Sequence, residues 1–229
     1  MNFAMRRAAG IGLFGAAFLL TAQVYAAEPA KGAPWPKGQY AALNQLPDWG
    51  GVWVLTRGRP GSGTPAPEAP RFKGTYLARY QAWQKEVREN NGVARRDTSN
   101  CMPPGMPNMM GTGQYPIEFL FTPGRVTTLH EAWMQTRSIF TDGRPHPEDL
   151  EAGIFGHSIG RWEGDTLVVD TVGIKVITEL GAGMKHSDKL QLSERIYLAK
   201  EDANMLVVEM TMTDPEALEV PYKRRLTFK

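Results

Sequence analysis

The chain has 229 residues, with 26 Lys and Arg against 24 Asp and Glu, 42% hydrophobic residues, four His and one Cys. That length suits one globular domain, and the ordinary apolar fraction excludes wholesale disorder and fibrous repeats. A single cysteine excludes an internal disulfide framework and zinc sites built from several thiolates.

The first 26 residues have the three parts of an export signal. Met1 to Arg7 carries Arg6 and Arg7, Ala8 to Ala22 is apolar and uncharged, and Val24-Tyr25-Ala26 is a small-x-small cleavage site. The apolar run falls short of the roughly 20 residues of a membrane span, so a secretory signal peptide over 1–26 is expected, with no stable anchor after cleavage. Cleavage removes Arg6 and Arg7 and leaves 24 basic against 24 acidic residues. The pI of about 8.6 therefore overstates the basicity of the mature chain, and the charge signature of a nucleic-acid binder disappears. A periplasmic or secreted bacterial protein with no nucleic-acid partner is expected.

Residues 27–45, rich in Pro, Gly and Ala, read as a flexible leader, and 46–229 as a single domain. Leu46 to Leu55 reads as a turn feeding an aromatic and β-branched strand. Arg57 to Pro70 is broken by Pro and Gly into an irregular excursion. Tyr76, Tyr80, Trp83 and Val87 recur at helical spacing and predict an amphipathic helix over about 74–90, with Lys85 and Arg88 outward. After a second irregular stretch, Asn91 to Tyr115, strands are expected at Ile117–Thr122, Arg125–Glu131, Met134–Thr141, Gly156–Trp162, Thr166–Gly173, Lys189–Ala199, Met205–Thr213 and Tyr222–Phe228. Pro123-Gly124 and Glu163-Gly164-Asp165 mark hairpin turns. Short consecutive strands of this kind predict a mainly β protein. The expected architecture is a roughly eight-stranded antiparallel barrel with the helix across one end or flank.

Alternation within the strands nominates interior polar groups. In Lys189–Ala199, Glu194 shares a face with Leu190, Leu192, Ile196 and Leu198, so its carboxylate points into the core. A buried carboxylate needs a partner or keeps its proton. Arg224, which shares a parity with Tyr222, Leu226 and Phe228, is a candidate partner. In Arg125–Trp133 either His130 or Glu131 faces inward, and alternation leaves the choice open. Arg137 sits in a similarly mixed strand.

All four histidines fall between 130 and 186. His130 adjoins Glu131, and His186-Ser187-Asp188 sets a carboxylate two residues from a histidine. Histidine oriented by a carboxylate suits general acid–base chemistry near neutral pH, although His-x-Asp on a loop also serves as turn chemistry. His146, in the proline-pinned Asp142 to Pro147 loop, is expected to be exposed. The spacings match no compact metal motif. Met102, Met106, Met109 and Met110, beside Cys101, would suit copper(I) or adaptable packing at a barrel mouth. Phosphate-binding loops, nucleophile elbows and His-Glu-x-x-His helices are absent from the sequence.

Cys101 to Pro107, Glu118-Phe119 with Thr122 to Arg125, Thr141 to Arg144 with His146-Pro147, Gly156 to Thr171, His186 to Asp188 and Asp214-Pro215 together resemble a family of exported bacterial proteins. That family is marked by a GHSIGRWEGDTLVVDT-type run. The resemblance covers about residues 46–229 and implies export and one compact domain; it carries no activity. Gly51-Val52-Trp53 is also similar to the Gly-x-Trp at the first strand of lipocalin-type barrels.

The function expected from these residues is a cofactor-independent lyase, isomerase or hydrolase acting on a small, partly apolar or aromatic molecule in a barrel cavity. His157, His186, Asp188, Glu194 and Glu131 are the candidate catalytic groups, with Asp188 orienting His186. Arg137, His130, Arg224, Trp133, Met106 and Met110 are the candidate substrate-binding groups. A non-catalytic carrier of the same ligand class is the alternative, and a copper-binding protein acting through the methionine loop is the third.

Overall fold

Nine strands follow one another in chain order around a single sheet (β1–β9). The computed structural model describes residues 39–56, 68–94, 101–111 and 115–229, which belong to one compact unit. The expected signal peptide, much of the leader and the 57–67 part of the excursion lie outside the described residues. The strands are β1 (Val52–Trp53), β2 (Ile117–Thr122), β3 (Arg125–His130), β4 (Gln135–Phe140), β5 (His157–Glu163), β6 (Thr166–Val172), β7 (Gln191–Ala199), β8 (Asp202–Thr213) and β9 (Tyr222–Phe228). Beyond β1, the Val54 N–H donates to Lys229 O at 2.8 Å, the Lys229 N–H donates back to Val54 O at 2.9 Å, and Leu55 bridges Phe228. The sheet is thus nearly closed into a barrel. The sheet has nine strands rather than roughly eight; the short β1 is the strand expected within Leu46 to Leu55.

Neighbouring strands are antiparallel except β4 and β5, which run parallel through Ile139–Ser158 and Phe140–Ile159. A ring of antiparallel neighbours needs an even number of strands, so a nine-stranded ring must contain a parallel pair. A parallel pair cannot be joined by a tight turn. Residues 141–156 supply the crossover and return the chain to the end at which β4 began.

The turns follow local chemistry. Gly124 (φ +74°) and Gly164 (φ +59°) give the two-residue hairpins β2–β3 and β5–β6 the left-handed residue that L side chains avoid. The β7–β8 turn is tighter than the expected Lys200–Asn204 loop. The Asp202 carboxylate accepts the Asn204 N–H at 2.9 Å, β8 begins at Asp202, and a bulge at Leu198/Ala199 takes up the register. The β3–β4 turn instead places two non-glycine residues, Trp133 and Met134, at φ +55° and +52°. Both side chains are exposed there, so Trp133 lies on a hairpin tip rather than in the interior.

The helix α1 (Gly74–Glu89) forms where the aromatic spacing places it, but buries no residue fully. Tyr76 and Tyr80 lean on the core, and Tyr80 stacks on Trp83. Lys73 N–H donates to Ala217 O at 3.0 Å, and Gly183 approaches Trp83 so closely that a Cβ would meet the indole at 2.2 Å. At the end of the leader, Gln39–Gln45 is a 3-10 helix.

Inside the barrel, alternation holds as expected on β7, where Leu192, Glu194 and Ile196 are wholly buried. Trp49, Phe119, Phe121 and Trp162 form a ring cluster with centroids 5.3–5.5 Å apart. Met106, Met109 and Met110 are buried in the same core. At its centre Arg137 and Glu194 form an ion pair with 1% and 0% side-chain exposure. Arg137 Nη1 donates to Glu194 Oε1 at 3.1 Å and Nη2 to Oε2; Nη2 also donates to Thr171 Oγ1 at 2.8 Å, and Nε to Ser158 Oγ at 3.0 Å. Glu194 therefore finds its partner on β4 rather than in Arg224, whose Nη1 donates to Leu180 O at 3.0 Å.

Removing one partner of such a pair strands a charge in an apolar interior, at a cost of about 3–5 kcal/mol. Arg137→Met and Glu194→Met should each lower the unfolding free energy by about that much, and the double variant by less than either single one. Urea unfolding of the four proteins checks this; additive losses would contradict it.

Candidate functional site

The crossover that joins the parallel strands lies over the outer wall of the barrel and carries a histidine with it. Ser158 and Thr171 point inward and are buried, so alternation turns their neighbours His157 and Asp170 outward. The β5–β6 register pairs Ile159 with Asp170 and His157 with Val172, making His157 and Asp170 diagonal neighbours on one face. His146 of the crossover bridges them: its Nδ1 lies 2.8 Å from His157 Nδ1 and its Nε2 lies 3.2 Å from Asp170 Oδ2. His146 is therefore hydrogen-bonded and four-fifths covered (20% side-chain exposure), contrary to the exposed position expected for it.

The hydrogen bonds order the protons along this chain. An ionised carboxylate only accepts, so His146 Nε2 carries a proton toward Asp170. Where His146 is neutral, its Nδ1 is then the acceptor, and the 2.8 Å contact is made by His157 Nδ1–H donating to it. That leaves His157 Nε2 with a free lone pair. Burial, followed by repulsion from His146 when that ring is protonated and from Arg144, holds the His157 pKa below its ordinary 6.5, so the ring is neutral at neutral pH and can accept a proton.

Phe140, outward on β4, supports the site. Its ring stacks on His157 with centroids 5.3 Å apart and planes 23° apart. The guanidinium carbon of Arg144 lies 4.1 Å from the same ring centroid. Asp142 accepts from Arg144 Nε at 2.9 Å and from Nη2, which fixes the guanidinium and lowers the Asp142 pKa.

The remaining nominated residues do other things. His186 is buried; its Nδ1 donates to Ser187 O at 2.7 Å and its Nε2 meets Thr178 Oγ1 at 2.9 Å. Burial lowers its pKa, and both ring nitrogens serve the fold. Asp188 is exposed and pairs with Lys189, so it does not orient His186. The buried Asp214 instead organises this loop, accepting from Ser187 N at 2.6 Å and Oγ at 2.7 Å, and from the N–H groups of Glu216 and Ala217. Glu131 is exposed on the β3–β4 turn, which excludes it as a buried acid or base. His130 takes the inward position on β3, with Nε2 3.0 Å from Thr128 Oγ1. Among the described residues no group of three His, Cys, Asp or Glu is arranged to hold a metal, and Cys101 is exposed.

The sequence did carry a signal for the relay. A two-residue turn at Gly164-Asp165 implies the β5–β6 register, which already sets Asp170 diagonally across from His157. Nothing local brings His146 to them, because that contact depends on the path of the crossover. Comparison with protein-family models and with curated proteins finds no match.

Burial, then the Arg137 charge, lowers the His130 pKa from 6.5 to about 4. The unfolded state therefore binds the proton first. Stability from this group is complete above pH 6.5 and is lost as pH falls toward 4, by about 3 kcal/mol. Urea unfolding across that window should show the decline, and His130→Gln should flatten it; an unchanged slope in the variant would contradict the assignment.

Proposed function

We propose that the protein is an exported, cofactor-independent acid–base enzyme of the lyase, isomerase or hydrolase type. It acts on a small, partly apolar molecule, with His157 as the base. The observation that supports this is the Asp170–His146–His157 hydrogen-bond chain on the outward face of β5 and β6, in which His157 Nε2 has no hydrogen-bond partner among the described residues. In the reaction, His157 Nε2 takes a proton from the substrate or from water. His146 holds the resulting imidazolium through Nδ1, and Asp170 balances the charge. The proton is then returned to a second position on the substrate or to a leaving group.

This moves the chemistry from the barrel interior to the outer wall. Arg137 and Glu194, nominated from the sequence for work on substrate, satisfy each other in the core, as do Met106 and Met110 by packing. Proton transfer of this kind is worth roughly 10²–10⁴ in rate.

The test starts with native mass spectrometry of protein recovered after export, identification of any released small molecule, and incubation of that molecule with fresh protein. Conversion is expected, with His157→Gln slower by roughly 10²–10⁴ and His186→Gln folded and active. The kcat/KM profile should rise with pH through an apparent pKa below 6.5, because only neutral His157 is a base. A molecule that is bound and returned unchanged would favour the carrier, and full turnover in His157→Gln would overturn the assignment.

A further inference from the structure

We infer that Arg144 is the anion subsite of this centre and that the substrate it admits is a small organic carboxylate. This deepens the assignment of His157 as a base and rests on it. The crossover folds Arg144 onto Phe140, the ring that also carries His157, so the fixed cation and the base share one support. Asp142 occupies one edge of the guanidinium through Nε and Nη2. No partner is found for Nη1 among the described residues. The Nη1/Nη2 edge is therefore open, and its two parallel N–H groups match the two oxygens of a carboxylate.

The arrangement selects by geometry as well as charge. Asp142 neutralises much of the charge of Arg144, so a diffuse attraction for any anion is weak. What remains is a planar, oriented fork, set over the Phe140 ring and held along its Nε/Nη2 edge by Asp142. A carboxylate docked there would lie beside the same Phe140 ring on which His157 stacks. Negative charge developing next to it during proton removal would face the guanidinium.

Phenylacetate is the probe, titrated into the full chain carrying ¹³C-labelled phenylalanine and read at the Phe140 ring signals. A saturable shift is expected with phenylacetate and not with phenylacetamide. Affinity should fall at least about tenfold in Arg144→Gln, and also in Arg144→Lys, which keeps the charge but not the fork. Equal shifts from the amide, equal competition by inorganic phosphate, or undiminished binding in both variants would overturn the inference. His157→Gln should still bind phenylacetate. Binding retained there while turnover is also retained would remove the base and leave the carboxylate subsite standing, so the two assignments fail separately.

Discussion

A closed ring of nine strands cannot be antiparallel throughout, and the candidate site follows from where this barrel places its parallel pair. The β4–β5 junction takes that place. It requires a crossover, and the crossover lies against the outside of the wall it connects. His146 reaches His157 and Asp170 because it rides on that connection, and Arg144 reaches Phe140 for the same reason. An even-numbered meander joined by tight hairpins would have no segment to bring across this face.

The wall beneath the site carries polar groups on both sides. Inside, Arg137 binds Ser158 on β5, Thr171 on β6 and Glu194 on β7, and Ser158 and Thr171 are themselves 2.9 Å apart. Outside, His157 and Asp170 are the next residues along the same two strands. A register slip of one residue would reverse both faces at once, stranding Arg137 and dispersing the relay. The buried ion pair thus links β4 to β7 at one register, while much of its attraction only offsets desolvation.

Much of the fold could be read from the sequence because strands declare themselves by alternation and by turn residues. The inward face of β7 was legible because Glu194 shares its parity with four apolar residues, Leu190, Leu192, Ile196 and Leu198. The β2–β3 and β5–β6 hairpins were announced by Gly124 and Gly164. The partner of Glu194 was not legible, because β4 offers Arg137 with only Ile139 on its face, and pairing across β4 to β7 depends on barrel closure. The choice between His130 and Glu131 was equally hidden until Val126 and Thr128 were seen to be buried with His130. His186-Ser187-Asp188 looked catalytic by adjacency, but adjacency in a loop says little about direction. The ring of His186 turns to Thr178 and Ser187, and Asp188 turns to solvent. His146 shows the converse, since a proline-flanked loop reads as exposed unless its landing place is known.

The proposed chemistry depends on Asp170 and His146 holding His157 as a neutral base with its proton on Nδ1. Long-range ¹H–¹⁵N correlation spectra of the histidine side chains test this directly at neutral pH. His157 should be protonated at Nδ1 and bare at Nε2, His146 should be protonated at Nε2, and Asp170→Asn should lose this order. A proton on His157 Nε2, or a His157 spectrum indifferent to the loss of Asp170, would contradict it.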